Sequence, residues 1–322
     1  MLNSMPDMKR KLEEMNRNDL NKIFNENHIL FILIAPDRDF RLLKHNLVTE
    51  YNDFEHSPPR FLVDEARTRI DHLVELSRKK GFTFFDDVLG RLDDAIMYSD
   101  NLLLKFSKAS YFYFAALNKG LDLPLSGISN KTTTLRDLLN EDPYDLHSSV
   151  LPNTLGVVAT LILKPENKVV LTLHSNRNFE GSRMISAPVG GSLSIKEGDI
   201  DLLGVPDPFR TIVREANEEL GVSINTTDIR FFGLGRDLTT LKPELIGQIY
   251  LNLKEKELLQ IQKNHAKDEW EIENQIIADI EEILKFLRMN NWSPSGWVST
   301  YLSSFVSQSI ITQGCKLAGH NN

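Results

Sequence analysis

The segment Asp207-Pro208-Phe209-Arg210-Thr211-Ile212-Val213-Arg214-Glu215-Ala216-Asn217-Glu218-Glu219-Leu220-Gly221-Val222 constrains the fold more than any other stretch of the chain. An aspartate side chain can accept the orphan N–H groups of a first helical turn, and proline fits the first helical position because its missing N–H would have no partner there. A glycine suits the left-handed residue that ends a helix. Start and stop together predict a helix over 208–220. Phe209, Ile212, Val213, Ala216 and Leu220 recur at i, i+3, i+4 spacing, so that face has to pack in a core. Glu215, Glu218 and Glu219 stack on the other face, where each like-charged pair costs roughly 0.2–0.5 kcal/mol unless a cation compensates. Three glutamates alone are satisfied by a solvated surface. Hard oxygens on one rigid element are also what Mg²⁺ takes, with water and phosphate oxygens filling its shell, and that points to phosphate chemistry.

A chain of 322 residues is long for one ordinary domain and comfortable for two. Its 41% hydrophobic and 25% charged residues are a globular composition. A net charge of -8, with no long run of Lys and Arg, opposes nucleic acid as a main partner. The single cysteine, Cys315, can form no internal disulfide, and no Cys/His cluster has zinc spacing. The longest apolar run, Ile29 to Ala35, falls far short of the ~20 residues that span a bilayer and reads as a buried strand. Residues Met1 to Glu14 lack an apolar signal-peptide core. The expectation is a cytoplasmic protein without membrane contact, for which a homodimer is compatible.

The first 125 residues read as mainly helical. Leu62, Ala66, Ile70, Leu73 and Val74 have helical spacing with Gly81 as a stop, and a second helix is expected over Asp86 to Met97. Tyr111 to Phe114 suits either a strand or a buried turn of helix. Residues 126–149 are rich in Ser, Thr, Asn and Asp and read as a connection, which places a second domain at 150–318. That part opens with a β-hairpin, Gly156 to Leu163 and Val169 to Leu173 about a turn at Pro165-Glu166-Asn167. Further strands are expected at Ile229 to Leu234 and Leu245 to Leu251. An amphipathic helix is expected around Glu269 to Leu287 and another after Pro294. Interleaved strands and helices argue for an α/β sandwich with a mixed sheet.

Arg214 to Val222, Arg-Glu-apolar-any-Glu-Glu-any-Gly-apolar, resembles the second half of the Nudix box. The full box places Gly, five residues, Glu and seven residues before that arginine. Here those two positions hold Ile200 and Pro206, whereas Gly191 is followed after five residues by Glu197, with sixteen residues between Glu197 and Arg214. Gly198 to Val205 is read as lying in an insertion. The resemblance covers roughly residues 150–310 and implies an α/β/α sandwich: a strand pair, a glycine pair leading into the box helix, a further strand and a terminal helix.

What the resemblance implies is hydrolysis of a nucleoside diphosphate linked to another group, by in-line attack of water on the diphosphate bridge. Glu218 and Glu219 would bind Mg²⁺, with Mn²⁺ able to substitute. Glu215 would bind the metal or deprotonate the attacking water, and Arg214 would hold the carboxylates. An acid outside the box often joins the metal; the candidates are Asp268, Glu269, Glu271 and Glu273, with Glu271 preferred. Gly190 and Gly191 would let the backbone approach phosphate closely, and Arg183 could reach phosphate as a bidentate donor. The substrate is a small nucleotide-type compound whose identity stays open among ADP-ribose, dinucleotide polyphosphates, nucleotide sugars, nicotinamide dinucleotide, coenzyme A and damaged nucleoside triphosphates. A Nudix-fold sensor that binds a nucleotide without turnover is the alternative, although such domains tend to lose box carboxylates. An isoprenoid diphosphate isomerase would need a reactive cysteine, and Cys315 lies beyond the core.

Overall fold

The computed structural model describes residues 15–36, 38, 41–81, 84–126, 132–174, 183–265, 272–288 and 291–305. In chain order the elements are α1 (Arg17–Glu26), β1 (Phe31–Ala35), β2 (Leu47–Glu55), α2 (Arg60–Lys80), β3 (Val88–Tyr98) and β4 (Asn101–Ser110). A helical stretch at 111–118 follows, then α3 (Leu135–Leu139), β5 (Gly156–Leu163), β6 (Lys168–His174), β7 (Ile185–Ser186), β8 (Val189–Ser192) and α4 (Pro208–Leu220). The chain continues through β9 (Ile229–Asp237), β10 (Pro243–Leu251), α5 (Glu255–His265) and β11 (Ile272–Asp279) to a helix at 294–305, α6.

Among the described residues the main sheet has eight strands in the order β1-β9-β10-β5-β6-β11, with β7 added beside β6 and β8 beside β5. β10 runs parallel to β5 and the other pairs are antiparallel, so the sheet is mixed. Alternation along β5 sends side chains to both faces. Val157, Ala159, Leu161 and Leu163 pack with Phe209, Ile212, Ala216 and Leu220 of α4, whereas Val158 and Ile162 pack with Leu20 and Phe24 of α1 and Trp297, Val298 and Tyr301 of α6. The polar member of the second set, Thr160, is fully buried and hydrogen-bonded to Ser299 Oγ at 2.7 Å, and that hydroxyl in turn donates to the Gly247 carbonyl. The architecture is thus an α/β/α sandwich of the kind the resemblance implies, and the hairpin, the glycine pair, the box helix and the final helix come in the implied order. Among the described residues no helix is long and apolar enough to cross a membrane.

The first 125 residues depart from the helical expectation, because four strands lie there. α2 holds, with Leu62 and Ala66 buried and Gly81 at φ 74° ending it. The stretch expected as a helix at Asp86 to Met97 is instead β3, paired with β4. Gly90 weakens a helix there by about 1 kcal/mol relative to alanine, and the ladder offered by β4, whose Leu102, Leu104 and Phe106 point inward at every second position, decides the outcome. The second sheet, β2-β4-β3, joins the core that contains α4 through Leu92, Leu102, Leu104 and Phe106. The run ending at Ala35 is a strand as expected, and its partner is β9 of the main sheet. Near the other end, the helix expected over Glu269 to Leu287 is, from Ile272 onward, β11 and short helical turns, since Ile276 and Ile277 pack on opposite faces once β6 offers its free edge, and Glu269 to Glu271 lie outside the described residues. Of the stretch read as a connection, residues 132–149 are tied down: fully buried Arg236 reaches Asn153 Oδ1 at 2.8 Å and Glu141 at 3.5 Å, and Ser149 donates to Glu141 at 2.6 Å.

Candidate active site

α4 forms where its signals place it. Asp207 accepts from Phe209 N at 3.1 Å, Pro208 opens the first turn, and Gly221 closes the helix at φ 68° with Val222 N bonded back to the Ala216 carbonyl. Phe209, Ile212, Ala216 and Leu220 are fully buried, and Val213 is partly buried against the same core. The opposite face lies over β8. Gly190 and Gly191 pair with Val158 and Val157 of β5. A Cβ added to Gly191 would sit 1.7 Å from Glu215 Oε1, so glycine is what lets this carboxylate lie on the strand. Gly190 N donates to Glu219 Oε2 at 3.2 Å.

Arg214 organises the charges. Its Nε and Nη2 bind the two oxygens of Asp199 at 2.7 and 2.9 Å, and its Nη1 reaches Glu218 at 2.8 Å and Glu215 at 2.9 Å. Burial alone would lower the arginine's proton affinity, but its ion pairs to Asp199, Glu215 and Glu218 raise it well above the usual value, so it stays charged. Asp199 is fully buried and accepts Ser194 N at 2.8 Å. The sequence reading missed it: Glu197, expected to fill the corresponding place in the box, is exposed, and Asp199 two residues on turns inward to make the bidentate pair. The only available signal was an aspartate in the stretch read as an insertion.

One guanidinium therefore serves three carboxylates. Glu215 has its pKa pushed up to about 8, because burial outweighs the attraction of Arg214 while Glu218 and Asp199 add repulsion. The raised value means that the folded state holds this proton more tightly than the unfolded chain. The stabilisation is complete below the ordinary carboxylate range and is lost as pH rises to about 8. Glu215→Gln has no such titration. In chelator, its melting temperature should gain on the wild type steadily from pH 5 to 8.5; parallel curves for the two proteins would show that Glu215 carries no such burden.

α4 faces a cavity of about 500 Å³. Its lining includes Arg214, Glu215 and Glu218 of α4, Lys196 of the loop before it, and Phe85, Asp87, Leu89 and Tyr111 from the first 125 residues. The last group has no counterpart in the sequence reading, since only long-range pairing brings it here. Glu219 is turned to β8 and is not one of the lining residues. Arg183, at φ 58° just before β7, donates its backbone N–H to the carbonyl of His174 at the end of β6 and is not part of this lining. Asp268, Glu269 and Glu271 lie outside the described residues, as do Cys315 and the side chain of Glu273. Among the described residues no group of three or more His, Cys, Asp or Glu is gathered so as to hold a metal ion.

No family model matches the chain and no curated protein does. Solved structures similar to part of it include the following two. One is the protein DR0079 of Deinococcus radiodurans, with 15% identity over 44% of this chain and 75% of that one, and a TM-score of 0.31. The other is a hydrolase of the NUDIX family from Clostridium perfringens, with 13% identity over 49% of this chain and 98% of that one, and a TM-score of 0.30.

Proposed function

We propose that this chain is a Nudix-type, Mg²⁺-dependent hydrolase that cleaves a diphosphate bridge in a nucleotide-type compound. The observation that carries this reading is the complete set Arg214, Glu215, Glu218 and Glu219 on a helix whose acidic face, at Glu215 and Glu218, meets a cavity large enough for a small molecule. The donors fit a hard divalent cation. They are carboxylate oxygens on one rigid helix, and buried Glu215 stands beside Glu218 and Asp199 with a single arginine shared among the three carboxyl groups. Mg²⁺ keeps several waters and takes one or two carboxylates plus substrate phosphate, so it needs no cage of three protein ligands.

Glu218, with Glu215 beside it, would hold the cation at the cavity, Arg214 keeps both in place from its anchor on Asp199, and Glu219, which accepts from Gly190 N away from the cavity, fixes the approach of the helix to the glycine pair. When bound, Mg²⁺ would neutralise charge on the bridge oxygens and lower the pKa of a coordinated water. Glu215, at the cavity beside Glu218 and held by Arg214 Nη1 at 2.9 Å, is placed to orient the attacking water and take its proton. The test is a panel of diphosphate-bridged compounds, incubated with Mg²⁺ or Mn²⁺ and read by mass for the phosphate products. Cleavage of at least one compound that requires the metal is the expected result. Tight binding without cleavage across the panel would replace the enzyme by the sensor.

A further inference from the structure

The wall of the cavity that comes from the first 125 residues is pinned by hydrogen bonds. Phe84 stacks on Phe112 with ring centroids 4.8 Å apart, while its neighbour Phe85 is 60% exposed at the cavity. The backbone that presents Phe85 is pinned by Asp86, whose Oδ1 accepts both Ser110 Oγ at 2.8 Å and Phe112 N at 3.0 Å, and by Tyr111 N, which donates to the Asp87 carbonyl at 2.9 Å. Lys196 Nζ meets Asp87 Oδ2 at 2.6 Å, and Gly90 N and Ile195 N bond across to Leu193 and Val88, which fixes this wall against the loop leading to α4. The cavity lining consequently combines two unlike groups, the charged Arg214, Glu215 and Glu218 of α4 and, from the first 125 residues, Phe85, Leu89 and Tyr111 beside the Asp87–Lys196 pair.

A ligand that satisfies both is charged at one end and flat and aromatic at the other. We propose that Phe85 is a specificity-determining residue that stacks on the base of a nucleotide whose diphosphate lies at Glu215 and Glu218; the placing of the diphosphate rests on the hydrolase reading. Every base has a stacking face, so this contact selects nucleotides as a class without choosing among them. It also gives the first 125 residues a task, that of supplying the half of the site that recognises the group beyond the phosphates.

Calorimetric titration of the full chain with Mg²⁺ tests it. The probes are the α,β-methylene analogues of ADP, GDP, CDP and UDP, with methylenediphosphonate as the probe that has no base. At least one analogue should bind more tightly than methylenediphosphonate. Phe85→Ala should weaken that analogue about tenfold or more, with methylenediphosphonate affinity and melting temperature unchanged, and Phe85→Trp should keep the wild-type affinity. The proposal is overturned if no analogue exceeds methylenediphosphonate, if Phe85→Ala binds the analogues as the wild type does, or if both kinds of probe weaken together. Base-dependent binding without hydrolysis of any panel compound would remove the enzyme reading alone. Hydrolysis with an unchanged KM in Phe85→Ala would remove the stacking role alone.

Discussion

Glu218→Gln should leave the chain folded and lower hydrolysis of the compound found in the panel by at least about a hundredfold, the loss typical when one preorganised group that stabilises transition-state charge is removed. Glutamine keeps the size of the side chain and its place on α4, and its amide oxygen can still accept from Arg214 Nη1, now 2.8 Å from Glu218. The residue is one-third exposed, so losing this ion pair alters stability by no more than a few tenths of a kcal/mol. Removing the charge also removes repulsion on Glu215, whose pKa should drop toward the usual carboxylate range. Folding and turnover therefore separate in this variant. Melting curves in chelator and initial rates in excess Mg²⁺ are the measurements, and a wild-type rate in the variant would show that the catalytic centre lies elsewhere.

The box helix was legible because its information is local. Asp207, Pro208, Gly221 and the apolar stripe all act within one element, and the structure adds to them only the partner surfaces. β3 and β11 were not legible for the opposite reason. Residues 86–97 and 272–279 carry apolar residues at spacings that a helix also accepts, and the ladders of β4 and β6, which settle the matter, are supplied by other parts of the chain. Asp199 shows the same limit inside the site. A spacing rule selects Glu197, but the turn at 196–200 exposes that residue and buries the next acid against Arg214, an outcome written in no pattern of residue types. The aromatic wall is the extreme case, since Phe85 and Arg214 are far apart in sequence and line one cavity because bonds such as those of Gly90, Ile195 and Lys196 hold β3 and the residues before it against the loop leading to α4.

A chain shortened to begin at Ser148 should lose cooperative folding. Sequence composition favours the opposite result, because the polar stretch before it reads as a connection between two independent units. The packing decides against independence. The removed part contains β1, which covers β9 along Phe31 to Ala35, and its loss leaves an unpaired edge on the main sheet. It also contains Leu20, Phe24, Phe31 and Leu33, buried with Trp297 and Tyr301 on one face of that sheet, and Leu92, Leu102, Leu104 and Phe106, buried with Phe209 and Ile212 on the other. Each such side chain is worth roughly 1.5–3 kcal/mol of burial. Losing only a few of these contacts matches the roughly 5–15 kcal/mol by which a whole domain is stable. Arg236 would in addition lose Glu141, its one ion-pair partner among the described residues, while staying buried. Thermal melts and dye binding compare the shortened and full chains at equal concentration, and adding separately produced residues 1–147 should restore a sharp transition if the two parts form one core. A sharp unaided transition in the shortened chain would instead mean that the C-terminal sheet folds without β1, and that the aromatic wall is an addition to a finished domain.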